Sequence, residues 1–218
     1  MKKLLTFSAM AITCLFANAQ TSFDLKLYEE TVKTEKQYFR DIIKVFNTDD
    51  PYLRIDDVAL VYYGYAFTPE YNPIKDENEK LLNKYILEDN FPMIYKTANK
   101  ILSYNPASLD ALFHAWISGK TIGKSDTEYL SYVNKYKNVV AMIKEYGDGK
   151  SAETAFKIVH PEDKFHIMQS LGIKEVESET LDPKTLCYII TVTPSTKFQH
   201  RHIYFDVSIF LNSKINKK

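Results

Sequence analysis

The spacing of apolar residues changes at Gly147, and nothing else in the chain limits its fold as tightly. Before Gly147 apolar residues recur three and four apart, the period of a helix with one buried face. After it they fall in short runs rich in β-branched and aromatic residues, the signature of strands. The first half predicts six helices. One covers residues 24–46, with Phe39, Ile42, Ile43 and Phe46 on its stripe. Asp56 caps a second, where Val58, Val61, Tyr62 and Tyr65 share a face. Asp76, Glu77 and Glu79 open a third, placing acids at the positive end of the helix dipole. Asn90 caps a fourth, with Pro92 in its first turn, where a missing N–H costs nothing. Ser108 caps a fifth. The sixth covers residues 127–146, and Gly147 is expected to end it in a left-handed conformation.

The short connections imply antiparallel neighbours, so the front of the chain reads as a stack of helical hairpins. Residues 101–112 are similar in shape to the turn between tetratricopeptide repeats. Behind it the pattern predicts a strand at 155–159, a helix at 161–170, and strands at 186–192 and 202–208. In the last run Arg201, Ile203, Phe205, Val207 and Ile209 fall on one face, and His200, His202, Tyr204, Asp206 and Ser208 on the other. The fold class is therefore α+β: an N-terminal stack of antiparallel helical hairpins (tetratricopeptide-like), then a small, mainly antiparallel β-sheet with one helix. No low-complexity linker separates residues 20–146 from residues 147–218, so the two regions are expected to pack as one unit.

Residues 1–19 read as a secretory signal peptide. Lys2 and Lys3 precede an uncharged apolar run at 4–16, and Ala17-Asn18-Ala19 supplies a small-x-small cleavage pattern. The run is too short for a membrane anchor, and no later stretch reaches spanning length. The expected location is the periplasm or the exterior. Cys14 leaves with the leader, so Cys187 cannot form an internal disulfide, and stability must come from the core. Core material is plentiful, with 16 tyrosines and 13 phenylalanines. The 28 basic and 28 acidic residues balance, which argues against a nucleic-acid partner.

Four groups of residues invite a chemical reading. Gly147-Asp148-Gly149-Lys150-Ser151 suggests a phosphate loop, but that motif needs glycine where Lys144 stands, and a strand before the loop rather than a helix. A helix stop followed by a turn accounts for it. His200, His202 and Asp206 share a strand face and are weak metal candidates. About 3.3 Å per residue puts Asp206 roughly 13 Å from His202, too far for one ion. Cys187 sits in an apolar run with no basic neighbour to make it nucleophilic. No cofactor motif is present. The tyrosines remain, all but Tyr188 and Tyr204 preceding Gly147. Tyr63 points about 100° away from the Tyr62/Tyr65 stripe. An accessible Tyr63 beside the Tyr71-Asn72-Pro73 turn would make Tyr63, Tyr65, Tyr71 and Asn72 a binding site for a peptide or glycan. A tyrosine-rich core with hydroxyls bonded to backbone explains the same residues. Gly64 among them points to a close backbone approach.

Three segments together carry a family resemblance: Tyr62-Tyr63-Gly64-Tyr65-Ala66-Phe67 with Glu70-Tyr71-Asn72-Pro73, then the segment from Gly147 to Phe156, then Tyr204-Phe205-Asp206-Val207-Ser208. In this order and spacing the chain resembles the exported Bacteroidetes proteins of the "domain of unknown function 4919" family, from about Phe23 to Phe210. The resemblance implies an envelope or secreted protein with a helical front and a sheet at the back. It implies no activity.

The functional expectation is an exported, non-catalytic binding or assembly module whose partner is a peptide, glycan or envelope protein. The alternatives are an envelope hydrolase or metal-dependent enzyme using His200, His202 and Asp206, and a structural envelope protein. The leader predicts a mature N-terminus at Gln20. Mass spectrometry of the protein from the native envelope should find it, and an intact Met1 there would refute export.

Overall fold

Helices form where the sequence supplies caps and apolar stripes. The computed structural model describes residues 23–216 apart from 49, 51 and 75, with side chains through residue 213. The signal-peptide expectation lies outside the described residues. Asp24 caps α1 (Leu25–Thr34), accepting from the Lys26 and Leu27 amides. The expected single helix over 24–46 breaks at Glu35, and α2 (Lys36–Asn47) follows. Thr31 and Thr34 hydroxyls donate back to the Leu27 and Glu30 carbonyls just before the break. Such bonds bend helices.

Next come α3 (Ile55–Gly64) and a single 3₁₀ turn at Tyr65–Phe67. Asp56 is not the cap of α3; it lies in the first turn and accepts from Arg54 Nη2 at 2.8 Å and from the Tyr146 hydroxyl at 3.0 Å. The other caps are as read. Asp76 and Glu79 form a full capping box at α4 (Glu77–Leu87). Asn90 caps α5 (Phe91–Leu102), and Ser108 caps α6 (Leu109–Thr121). Ser125 caps α7 (Asp126–Glu145). Each of α4 to α7 packs on the next. Ala98, Ala111 and Ala115 are fully buried between α4, α5 and α6, so the backbones approach closely.

The second region consists of β1 (Phe156–Lys157), α8 (Asp163–Ser170), β2 (Val176–Asp182), β3 (Cys187–Val192), β4 (His202–Asp206) and α9 (Ser208–Asn216). The sheet order is β1-β4-β3-β2; β1 runs parallel to β4, and the other two pairs are antiparallel. The α+β class stands, with four differences in detail. The strand expected at 155–159 pairs over only two residues. β2 is exposed along most of its length and carries Glu177, Ser178, Glu179 and Thr180, so it lacks the apolar alternation that marks a strand. The run at 202–208 ends at Asp206, whose carboxylate accepts from the Ser208 amide as α9 begins. Ile209 therefore belongs to a helix.

The fourth difference is Gly147. Its φ is not positive, so it is not a left-handed cap. Its glycine is required by crowding: a Cβ would meet the Ala155 carbonyl oxygen at 2.5 Å. Gly149 takes the left-handed conformation, at φ +67°, where a Cβ would strike the Phe156 ring. The loop follows a helix, its Asp148 and Gly149 amides donate to Thr154, and the Gly149 carbonyl accepts from Tyr204.

One apolar core runs from Tyr28 to Ile209 and joins the helices to the sheet. Its hub is α3, which packs against α1, α2 and α7 and is buried at every position from Val58 to Gly64. At Gly64 a Cβ would lie 3.0 Å from Val32 and 3.1 Å from Phe39, the close approach read from sequence. A helix covered on all sides has no exposed face for Tyr63. The expectation of an accessible Tyr63 is thus corrected: it is wholly buried and packs against Phe23, Tyr28 and Tyr62. Its hydroxyl donates to the Lys157 carbonyl at 3.1 Å. Tyr63→Ala should therefore cost about 3–5 kcal/mol, as truncation of a large core aromatic does. A urea titration that showed a loss below about 1 kcal/mol would contradict this placement.

Candidate functional site

Residues 157–163 enter the helical region along a line of tyrosines. The Tyr62 hydroxyl accepts from the Val159 amide at 3.1 Å and donates to Asp163 Oδ2 at 2.6 Å. The Tyr71 hydroxyl donates to the Val159 carbonyl at 3.2 Å. Burial pushes the Tyr62 and Tyr63 hydroxyls well above the ordinary phenol range, so both remain protonated donors. The chain then turns through His160-Pro161-Glu162-Asp163. The Asp163 amide donates to the His160 carbonyl, and the His160 amide donates to Asp163 Oδ2 at 3.1 Å. Asp163 begins α8, where the helix dipole favours a carboxylate. Desolvation outweighs this: burial raises the Asp163 carboxyl, against the pull of His160, Tyr62 and His166.

Two histidines complete the arrangement. His166 on α8 bridges to the helical layer, with Nε2 2.9 Å from Asp110 Oδ1 on α6 and Nδ1 3.3 Å from the Tyr136 hydroxyl on α7. The His160 ring packs beside Tyr71 and Tyr65, with centroids 5.3 and 6.3 Å away. Its Nε2 is buried and has no hydrogen-bond partner, the one such side-chain nitrogen or oxygen among the described residues. A buried polar atom without a partner is a costly arrangement that calls for a physical reason.

His160 faces a cleft of about 340 Å³ where the helices meet the second region. Pro73 and Ile74 form one wall, Leu82 and Asn83 of α4 another, and Ser108 and Asp110 the start of α6 a third. Glu162, Asp163 and Phe210 close the far side. The polar lining is rich in acceptors: Glu79, Asp110, Glu162 and Asp163 carry carboxylates, and no described lining residue is Lys or Arg. The site can hold hydroxyl, amide or amine donors over an apolar floor, and it repels anions.

The residues singled out by sequence take different places. Tyr63 is remote from the cleft wall, and Tyr65 and Tyr71 lie buried behind His160. Exposed Asn72 accepts from the Ile74 amide at 3.0 Å, so it shapes the turn whose Pro73 and Ile74 form the rim. His200 precedes β4 and rests on Phe198, while His202 is exposed opposite Thr191. The structure does not bring His200, His202 and Asp206 together. Among the described residues no group of three His, Cys, Asp or Glu side chains could hold a metal ion. Cys187 is buried, its thiol held above the ordinary range by desolvation. His160, Asp163, His166 and Asp110 went unread. Their one local signal is the His-Pro-Glu-Asp turn opening a helix; Asp110 is distant in sequence.

A family model described as "Domain of unknown function (DUF4919)" matches residues 27–216. No curated protein and no solved structure matches the chain.

The raised carboxyl has a consequence for stability. Asp163 takes up a proton on folding, so its favourable contribution is complete below its ordinary value, about pH 4, and is lost as pH rises through the raised value. Asp163→Asn keeps an acceptor oxygen for Tyr62 and His160 without the titration. The wild type should gain stability relative to this variant as pH falls from about 7 to about 4. Urea titrations of both proteins across that range would show it, and a constant difference would exclude it.

Proposed function

The chain belongs to the DUF4919 family, and from that premise we propose that it is an exported, non-catalytic binding module of the cell envelope. Its ligand is a short peptide or glycan fragment rich in hydroxyl, amide or amine donors. The observation that carries this reading is the acceptor-lined cleft where the helices meet the second region, with His160 among its lining residues. The His160 Nε2 is buried without a partner, and a turn of the ring toward the cleft would let a ligand hydroxyl complete it in either tautomer, because a hydroxyl donates and accepts equally well. The carboxylates along the wall accept from further donors, and Ile74, Leu82 and Phe210 supply the apolar contact that sugars and peptides both use.

Support for binding rather than turnover comes from how the reactive groups are employed. Asp110 is engaged by His166, and Asp163 by Tyr62 and the His160 amide. The Ser108 hydroxyl accepts from the Ala111 amide as a helix cap. Each group is committed to holding the wall in place.

The test is calorimetric titration with a panel of neutral oligosaccharides and uncharged short peptides. His160→Phe removes both ring nitrogens and keeps a planar ring. Ile74→Lys alters the exposed rim without touching the core. Each should weaken a ligand found by the panel by about tenfold or more, the worth of one buried polar contact, while thermal melts stay close to wild type. Unchanged affinity in both variants, or no binding across the panel, would overturn the reading.

A further inference from the structure

A second concave feature shares no wall residue with the His160 cleft. Two depressions, about 540 and about 390 Å³, share Lys33 and Phe67 in their linings and are taken together as a groove along α1 and α2. The helix break at Glu35 lies beside it, and the segment after the 3₁₀ turn forms the other bank. The floor is apolar, with Val32, Phe39, Phe67 and Pro69. Its charge is one-sided. Lys26, Lys33, Lys36 and Arg40 line it against Glu29 and Glu70, although the whole chain is balanced at 28 and 28.

Apart from Lys33, these cations have no ion-pair partner among the described residues. Lys33 pairs with Glu29 across one turn of α1, both at the surface. Arg40 Nη2 donates to the Gln37 side-chain Oε1 at 2.9 Å, a neutral partner. Lys36 has no ion-pair partner among the described residues. A floor of rings and aliphatic carbons beside one basic bank, on α1 and α2, is complementary to an extended chain that carries apolar and acidic side chains. A flat anionic surface meets the basic bank but leaves the floor empty.

We propose that this groove binds an acidic peptide segment of a partner protein. An apolar side chain of that segment sits on Phe39 and Phe67, and its carboxylates meet Lys33, Lys36 and Arg40. The site is independent of the His160 cleft: it takes the opposite charge and uses other elements.

The experiment is an array of random short peptides, sorted by net charge, probed with the purified protein, followed by fluorescence anisotropy on the best binders. The charge-reversal variant Lys36→Glu/Arg40→Glu changes two exposed positions, and a thermal melt checks its fold. The expected result is enrichment of peptides combining acidic and apolar residues. Their affinity should fall about tenfold or more on charge reversal and fall with added salt. No charge preference across the array, or equal binding by the reversed variant, would overturn the proposal. Anionic vesicles that bind more tightly than the best peptide would assign the groove to a membrane instead. Self-association lost in the same variant, seen by sedimentation, would assign it to a second copy of the chain.

Discussion

Ile158 and Val159 are buried just past β1, which pairs over only two residues, so the sheet cannot meet most of the backbone polar groups from Lys157 to Val159. Three tyrosine hydroxyls meet them instead. Tyr63 takes the Lys157 carbonyl, Tyr62 the Val159 amide and Tyr71 the Val159 carbonyl, while the Ile158 amide donates to Asp206 within the sheet region. An unpaired buried backbone group costs about as much as a lost hydrogen bond, so these phenols are what let the second region press against the helices. Tyrosine suits the task because its ring fills core volume while its tip reaches a carbonyl. This accounts for the burial of Tyr62, Tyr63 and Tyr71 among the tyrosines that precede Gly147.

The cleft is a by-product of the same seam. The segment bonded by Tyr62 and Tyr71 runs straight into the His160–Asp163 turn, and Asp163 is held by the hydroxyl that also serves Val159. His166, one turn along α8, ties that helix to Asp110 and Tyr136. The wall of the cleft is therefore built from both regions and stiffened by buried hydrogen bonds on its far side. Among the described residues, His160 alone retains a buried side-chain nitrogen or oxygen with no partner. Preorganised walls with one unmet polar group are suited to recognition, because little ordering remains to be paid on binding.

Several features were legible before any coordinates. Asp76, Asn90 and Ser108 cap helices because a short polar side chain followed by an apolar stripe meets a local need, an unpaired N–H within three residues. Gly64 signalled a close approach, and Val32 with Phe39 supplies it. Other features gave a misleading local signal. β2 carries polar residues on both faces, so its strand character comes from pairing with β3 and not from burial. Gly147 follows a helix as a left-handed cap does, yet the crowding at Ala155 accounts for it. Tyr63 lies off the stripe of its own helix, and helical spacing cannot say that a second layer covers that side too.

Local chemistry thus determined the starts of α4, α5 and α6, the α+β class and the end of the helical region near Gly147, since each depends on neighbours within about one turn. The tertiary structure decided which tyrosines are buried, that the chain returns to helix after Asp206, and that His160, Asp163, His166 and Asp110 converge. Those outcomes depend on pairs as far apart as Tyr62 and Asp163, or Asp110 and His166. No periodicity records them, because packing brings them together only after every helix has been placed.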